Sequence, residues 1–294
     1  MNSNRPPHAP PKQGPARLSL AAAGAGLLLL SAASMAFEVI LTHLFSLVFQ
    51  YHFSFLAVSM AVLGLGIGAV ISFYLPALNE EQAGEWLSQS AAAAALILPA
   101  AVIIFSLTGF VPGILWQALL GALPFVLVGL LTTRLYTLFT RQAAWLYALD
   151  LAGSALGLGL ALLLLDHISA ASSGIALGLA AALAALAFTG GQRDKLALPA
   201  MALGLTALVL AVNLLTGLVD LPRLNRAAIP ADKTMFQVLA DPAQQAQVID
   251  SAFSAYARAD LVQVNDPDQM YVFTNGGAGS YMLRYSGDLS SVSW

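Results

Sequence analysis

Two acidic residues lie inside long apolar runs of this chain, and Glu38 is the first of them. Thr42 and His52 follow at i+4 and i+14, a spacing that places the three side chains on one face of a helix. Because an ionised carboxylate in hydrocarbon is costly, such a residue faces a bundle interior or lies near the membrane surface. Glu38 is therefore a candidate site for a substrate, a cation or a proton. The sequence leaves one alternative open, in which Glu38 marks the outer end of a span over residues 18–38.

Asp150 is the second acid, in the stretch RQAAWLYALDLAGSALGLGL. Ser154 and Gly157 share its helical face, and Gly153 and Gly157 are small residues four apart, a pattern typical of close helix packing. We interpret Asp150 and Ser154 as binding candidates; the alternative is that Asp150 lies at headgroup depth. We expect Glu38 and Asp150 to line one polar interior between the first and fifth spans, where a polyamine or another cationic small molecule would bind.

Gly64 and Gly68 form another small-residue stripe, which predicts helix packing. The GLGIG run of residues 64–68 is not interpreted as a nucleotide-binding loop, because no strand precedes it and the spacing differs from GxGxxG. The histidines are scattered without the spacing of a ligand set, so we expect no metal site. They stand at positions 8, 43, 52 and 167.

The composition indicates a membrane protein. Of the 294 residues, 59% are hydrophobic and 9% are charged. In soluble domains, about a quarter of all residues are charged. The net charge of −3 provides no basic field for nucleic acid, so that partner class is excluded. The absence of cysteine excludes disulfides, thiolate metal ligands and a cysteine nucleophile.

The hydropathy pattern predicts an all-α polytopic bundle of about seven transmembrane helices, followed by a small β-stranded C-terminal module. Each apolar run reaches the roughly 20 residues that cross a bilayer core. The runs cover about 18–49, 53–77, 90–108, 110–133, 145–165, 169–189 and 197–218. The predicted divisions are a disordered tail over 1–17, a transmembrane domain over 18–218, and a linker and β-module over 219–294.

The first run is too long for one straight crossing, so it must tilt, extend beyond the lipid or bend near Ser31–Ser34. The basic tail before it also fits a signal peptide with a cleavage site at residues 34–36, but an uncleaved span is favoured because strong apolarity resumes after Ala36. Lys and Arg concentrate in the tail and in the loops near 134–144 and 191–196. This asymmetry predicts a multi-pass protein of the cell (inner) membrane with a cytoplasmic amino terminus and an extracytoplasmic C-terminal module.

The C-terminal part turns polar from Asp220 and predicts a short helix over 233–240. Alternating residues predict strands near 246–253, 258–264, 269–274 and 280–285. We expect hairpin turns at residues 266–268 and at Asn275-Gly276-Gly277. The glycines from Gly276 to Gly279 indicate a turn rather than a phosphate cradle, since no helix pattern follows them.

The stretches FEVILTHLFSLVFQYHFSFLAVSMAVLGLGIGA, WLYALDLAGSALG, ARADLVQV and VFTNGGAGSYMLRYSGD resemble the membrane-embedded spermidine synthase-like proteins. Arg258 and Asp260 match the R-x-D strand of that family. The resemblance implies that a polytopic region and a small β-module precede a Rossmann-like aminopropyltransferase domain, which carries the site for decarboxylated S-adenosylmethionine and the catalytic aspartate. We expect this chain to hold the membrane region and the start of the synthase-like domain. On that expectation it has no catalytic residue and no cofactor of its own, and is inactive as a transferase alone.

Two functional classes remain open at this point. One is a membrane protein linked to polyamine-type aminopropyl transfer through a further C-terminal domain. The other is a transporter or binding protein that receives a cationic amine at Glu38 and Asp150.

Overall fold

The computed structural model describes residues 18–49, 51–110, 113–265 and 269–283. In these ranges seven helices are long and apolar enough to cross a bilayer, so the predicted polytopic helical bundle is confirmed. They are α1 (Leu20–Val48), α2 (Phe55–Tyr74), α3 (Glu80–Thr108), α4 (Ile114–Leu138), α5 (Ala143–Leu165), α6 (Ala170–Phe188) and α7 (Ala197–Thr216). Short 3-10 helices at Tyr51–Ser54, Thr140–Gln142 and Arg193–Lys195 lie in three of the connections. The predicted disordered tail over 1–17 lies outside the described residues.

α3 begins about ten residues earlier than the apolar pattern indicates. The apolar run predicted from the sequence starts at about residue 90, whereas the helix already starts at Glu80 with Asn79 as its N-cap. Acidic residues are favourable in the first turn of a helix, where the macrodipole is positive. Hydropathy marks only the part of α3 that suits lipid, so it misses these polar turns.

α1 is one helix of 29 residues, which corresponds to a length of about 43 Å at 1.5 Å per residue. This exceeds the roughly 30 Å of a hydrocarbon core. The helix is continuous across Ser31–Ser34, so its extra length is taken up by tilt or by extension beyond the lipid rather than by a break.

α5 runs parallel to α1. Gly153 and Gly157 lie against the backbone of Leu28 and Ala32, in the same order along both helices, at positions where a Cβ atom would overlap that backbone. Small residues permit this close approach, which gives dispersion contacts that drive helix association in lipid. The two helices therefore form a tight pair.

α4 runs in the opposite direction to α1. The rings of Phe37 and Phe125 lie 5.5 Å apart, and Leu41 packs against Gly121, so the order of contacts is reversed. Similar contacts make α2 parallel to α4, and α6 antiparallel to α1, α3 and α7. The odd-numbered helices thus share one direction and the even-numbered helices the other, as in a bundle in which each helix crosses once.

The two ends of this bundle differ in their charged residues. One end, here the basic end, holds the connections that follow α2, α4 and α6. Its basic residues are Arg134, near the end of α4, and Arg141, Arg193 and Lys195 in the connections. The other end, here the module end, is where the odd-numbered helices finish and where the C-terminal module packs. The predicted cytoplasmic side corresponds to the basic end; the orientation itself stays a prediction.

The C-terminal module contains α8 (Thr234–Ala240) and a four-stranded antiparallel sheet in the order β1-β2-β3-β4. The strands are β1 (Gln247–Phe253), β2 (Arg258–Gln263), β3 (Gln269–Thr274) and β4 (Ala278–Leu283). The predicted β-module is therefore confirmed. Asn275 and Gly276 have φ values of 48° and 69°, the left-handed conformation that an Asn-Gly hairpin turn requires. The turn predicted at residues 266–268 lies outside the described residues.

Candidate functional site

A cavity of about 320 Å³ opens between α1, α2, α4 and α5. We call it the carboxylate cavity, because Glu38 and Asp150 both line it. Five hydroxyl-bearing residues share the lining, and none of the described lining residues is basic. The complete lining is Ser31, Ser34, Met35, Glu38, Leu65, Val128, Gly129, Thr132, Thr133, Asp150 and Ser154.

The cavity is an open cleft that lies partway along the helices rather than at their ends. Leu65, which lines it, is halfway along α2. Glu38 stands ten residues before Val48, the last residue of α1. The helix therefore does not end at Glu38, and the alternative in which Glu38 marks the outer end of α1 has no support in the backbone.

Asp150 is held by hydrogen bonds from two other helices. The Ser31 hydroxyl on α1 donates to Oδ1 at 2.5 Å, and the Tyr136 hydroxyl on α4 donates to Oδ2 at 3.2 Å. The close packing of Gly153 on α1 brings Asp150 within reach of Ser31. These two donors, from α1 and α4, fix the orientation of the Asp150 carboxylate in the cavity.

Glu38 is placed differently. Within the described ranges its carboxylate has neither a hydrogen bond nor an ion pair, and the residue is only partly covered by protein. An acid without a partner inside a membrane helix is a candidate ligand or proton site. The cavity therefore contains one carboxylate that is fixed by its neighbours and one that is free to accept a donor from a ligand.

No family model, curated protein or solved structure matches this chain.

Of the remaining sequence candidates for the site, Thr42 lies outside the cavity. Thr42 donates to the carbonyl of Val39 in its own helix at 2.7 Å and does not line the cavity. α1 ends at Val48, before the 3-10 turn Tyr51–Ser54, so the helical spacing from Glu38 does not extend to His52. The side chain of His52 lies outside the described residues. The expected common face of Glu38, Thr42 and His52 is thus not what forms the cavity.

Sequence reasoning missed two of the groups that matter most here. Tyr136 reaches Asp150 across the space between α4 and α5, and no local spacing in the sequence indicates that contact. The spacing of the sequence does indicate a role for Ser31, because Ser31, Ser34 and Glu38 stand at i, i+3 and i+7 and share a helical face.

The predicted packing glycines lie at helix–helix contacts. Gly64 and Gly68 on α2 lie against the α4 backbone near Ala122 and Val126, and Gly153 and Gly157 lie against α1 as described. The first pair places Leu65 and Gly129 at one wall of the cavity, and the second places Asp150 and Ser154 at the other.

Arg258 and Asp260 form a buried pair in β2. Arg258 Nε donates to both carboxylate oxygens at 2.8 and 3.0 Å, and the Ser251 hydroxyl donates to Oδ1 at 2.6 Å. Arg258 Nη1 also donates to the Asp220 carbonyl at 2.6 Å, just beyond α7. The pair therefore connects the sheet to the membrane bundle.

Lys233 makes a second connection. It is 4% exposed, and its ammonium donates to the carbonyls of Ser46, near the end of α1, and Asn275, at 3.0 Å for the latter. The last carbonyls of a helix lack partners within it, and a cation near them is favourable. Burial lowers the pKa of Lys233, and the charge of Asp232 partly offsets that effect.

Two further hydrogen bonds complete the joint at the module end. The Arg223 amide donates to the Ser106 carbonyl of α3 at 2.9 Å, and the Ala255 amide donates to Asp166 at the end of α5 at 2.6 Å. Asp166 thus contacts the module. In the described ranges, no three His, Cys, Asp or Glu side chains are grouped as they would be to hold a metal ion.

Proposed function

We propose that this integral membrane protein binds a cationic amine in the carboxylate cavity, with polyamines as the substrate class. The observation that carries the proposal is that Glu38 and Asp150, from two different helices, line one open cavity between the membrane helices. Two carboxylates without a basic neighbour attract ammonium groups. The hydroxyls around them supply further acceptors for N–H donors.

The lining also suits the rest of such a ligand. Met35, Leu65 and Val128 provide apolar contact for the methylene chain that separates the ammonium groups of a polyamine. Burying a charged carboxylate away from water is unfavourable unless it is paired. A bound cation offsets this cost for both acids, so ligand binding stabilises the site.

Transport is the activity that fits an amine site at this depth. A second candidate function is supported by the resemblance to spermidine synthase-like proteins and by the buried Arg258–Asp260 pair of β2. In that case the membrane region supplies or positions an amine for aminopropyl transfer, with decarboxylated S-adenosylmethionine bound by a further domain.

Amine binding is tested by isothermal titration calorimetry of the purified protein with spermidine. Glu38→Gln and Asp150→Asn keep the shape of the side chains and remove their charge. A charge-assisted hydrogen bond contributes about 1.5–3 kcal/mol, so each variant should bind about 10-fold to 150-fold more weakly. Spermidine uptake into proteoliposomes then separates transport from binding alone. Release of methylthioadenosine by this chain, with putrescine and the donor present, would contradict the expectation that it is inactive as a transferase alone.

Glu85→Gln is the matched control, because Glu85 lies on α3 outside the cavity and pairs with Lys195 at 3.3 Å. It should bind spermidine as the parent protein does. Unchanged binding by both cavity variants would contradict the proposed function.

A further inference from the structure

The two carboxyl groups of the cavity have unlike surroundings. Asp150 accepts hydrogen bonds at both oxygens, from Ser31 and Tyr136, whereas Glu38 has no hydrogen-bond partner in the described ranges. When two acids in one site differ in this way, the one that accepts more hydrogen bonds holds the charge and the other holds the proton.

The other elements packed around Glu38 add few titratable groups. α2 contributes Leu65 to the cavity, and α6 has no charged or titratable residue in its sequence. Arg134 of α4 is directed to the Pro76 carbonyl and the Trp86 ring. On α1 itself, His43 lines a different cavity at the module end. Among the described residues, Asp150 is thus the titratable group that shares the cavity with Glu38. Tyr136 lies behind it and donates to Asp150.

We infer that Glu38 carries a proton while the cavity is empty and releases it to water when a diammonium ion binds. This inference rests on the proposed amine-binding function and adds proton exchange to it. An ionised Asp150 and a protonated Glu38 give the empty cavity a charge of about −1, which two hydroxyl donors stabilise.

The charge of the ligand decides whether the proton leaves. A diammonium ion beside ionised Asp150 and protonated Glu38 would leave a net positive charge in a low-dielectric site, which is unfavourable. Loss of the Glu38 proton brings the net charge of the complex to zero. A monoammonium ion already neutralises Asp150, so Glu38 keeps its proton in that complex.

The experiment compares 1,4-diaminobutane with n-butylamine. Calorimetric titrations at one pH, in two buffers of different ionisation enthalpy, give the number of protons released per amine bound. We expect about one proton for the diamine and none for the monoamine. The affinity for the diamine should also rise with pH by up to about tenfold per unit, because one proton is released on binding.

Glu38→Gln cannot release this proton. It should bind the diamine more weakly, without proton release and without the dependence on pH, while Glu85→Gln should behave as the parent. Gel filtration checks that each variant is folded, and the comparison of the two amines on the parent protein needs no variant.

Diamine binding by the parent without proton release would overturn the inference, as would undiminished release by Glu38→Gln or equal release with both amines. Failure of both amines to bind is a different result, because it would contradict the proposed amine site itself.

Discussion

The Ser31 hydroxyl on α1 donates to the Asp150 carboxylate on α5 at 2.5 Å, across 119 positions of sequence. The bond exists because α1 and α5 run parallel in direct contact at Gly153 and Gly157. The geometry of the carboxylate cavity therefore depends on residues that have no functional group of their own.

Gly157→Leu should separate α5 from α1. The added side chain meets the backbone near Ala32, and overpacking of this kind costs about 1–3 kcal/mol. We expect a lower thermal unfolding temperature in detergent and weaker spermidine binding. Gly159→Leu is the control, because Gly159 on the same helix has open space around it; equal damage from both substitutions would mean that the α1–α5 contact is not the cause.

Asp260→Asn should loosen the module from the bundle. Removing one partner of a buried ion pair costs about 3–5 kcal/mol, since the other charge remains buried. We expect faster proteolysis after residue 220 and a lower unfolding temperature. Asp241→Asn, at the exposed pair with Arg226 (3.5 Å), should cost about 0–1 kcal/mol, and an effect as large as that of Asp260→Asn would contradict the prediction.

Lys233 predicts a dependence of stability on pH. Because burial lowers its pKa in the folded state, the unfolded chain binds more protons between that lowered value and the ordinary value of about 10.5. The free energy of unfolding should therefore rise with pH through this window. Lys233→Met lacks this contribution, so the difference in unfolding temperature, parent minus variant, should increase from pH 8 toward pH 10.5. A difference that is constant or falls with pH would show that Lys233 is not desolvated.

The topology prediction concerns the side of the membrane on which the module lies. The four basic residues near the helix ends opposite the module indicate that this end is cytoplasmic. Alkaline phosphatase fused after Asp220 should be active, and a green fluorescent protein fused at the same place should be dark. The reverse pattern would place the module in the cytoplasm.

Much of the membrane architecture was predictable, because each crossing needs about 20 apolar residues and the sequence shows seven such runs. The hairpin at Asn275 was predictable from turn chemistry. The start of α3 was not, since its polar first turns lie beyond the part that suits lipid.

The cavity was predictable only in part. Glu38 and Asp150 were identified as charges within apolar helices, and their shared cavity follows from tertiary packing that the sequence suggests but does not specify. Tyr136 was missed because its contact with Asp150 joins two helices that have no common spacing. The helical spacing that groups His52 with Glu38 stops at Val48, and the side chain of His52 lies outside the described residues.

The joint at the module end has a mechanical consequence. Contacts of Lys233, Arg223, Ala255 and Arg258 fasten the module to the last turns of α1 and α3 and to the segments just beyond α5 and α7. Helices that are held by contacts at one end can move more at the other end. We therefore expect displacements of the helices, and of the carboxylate cavity between them, to be larger toward the basic end than toward the module end.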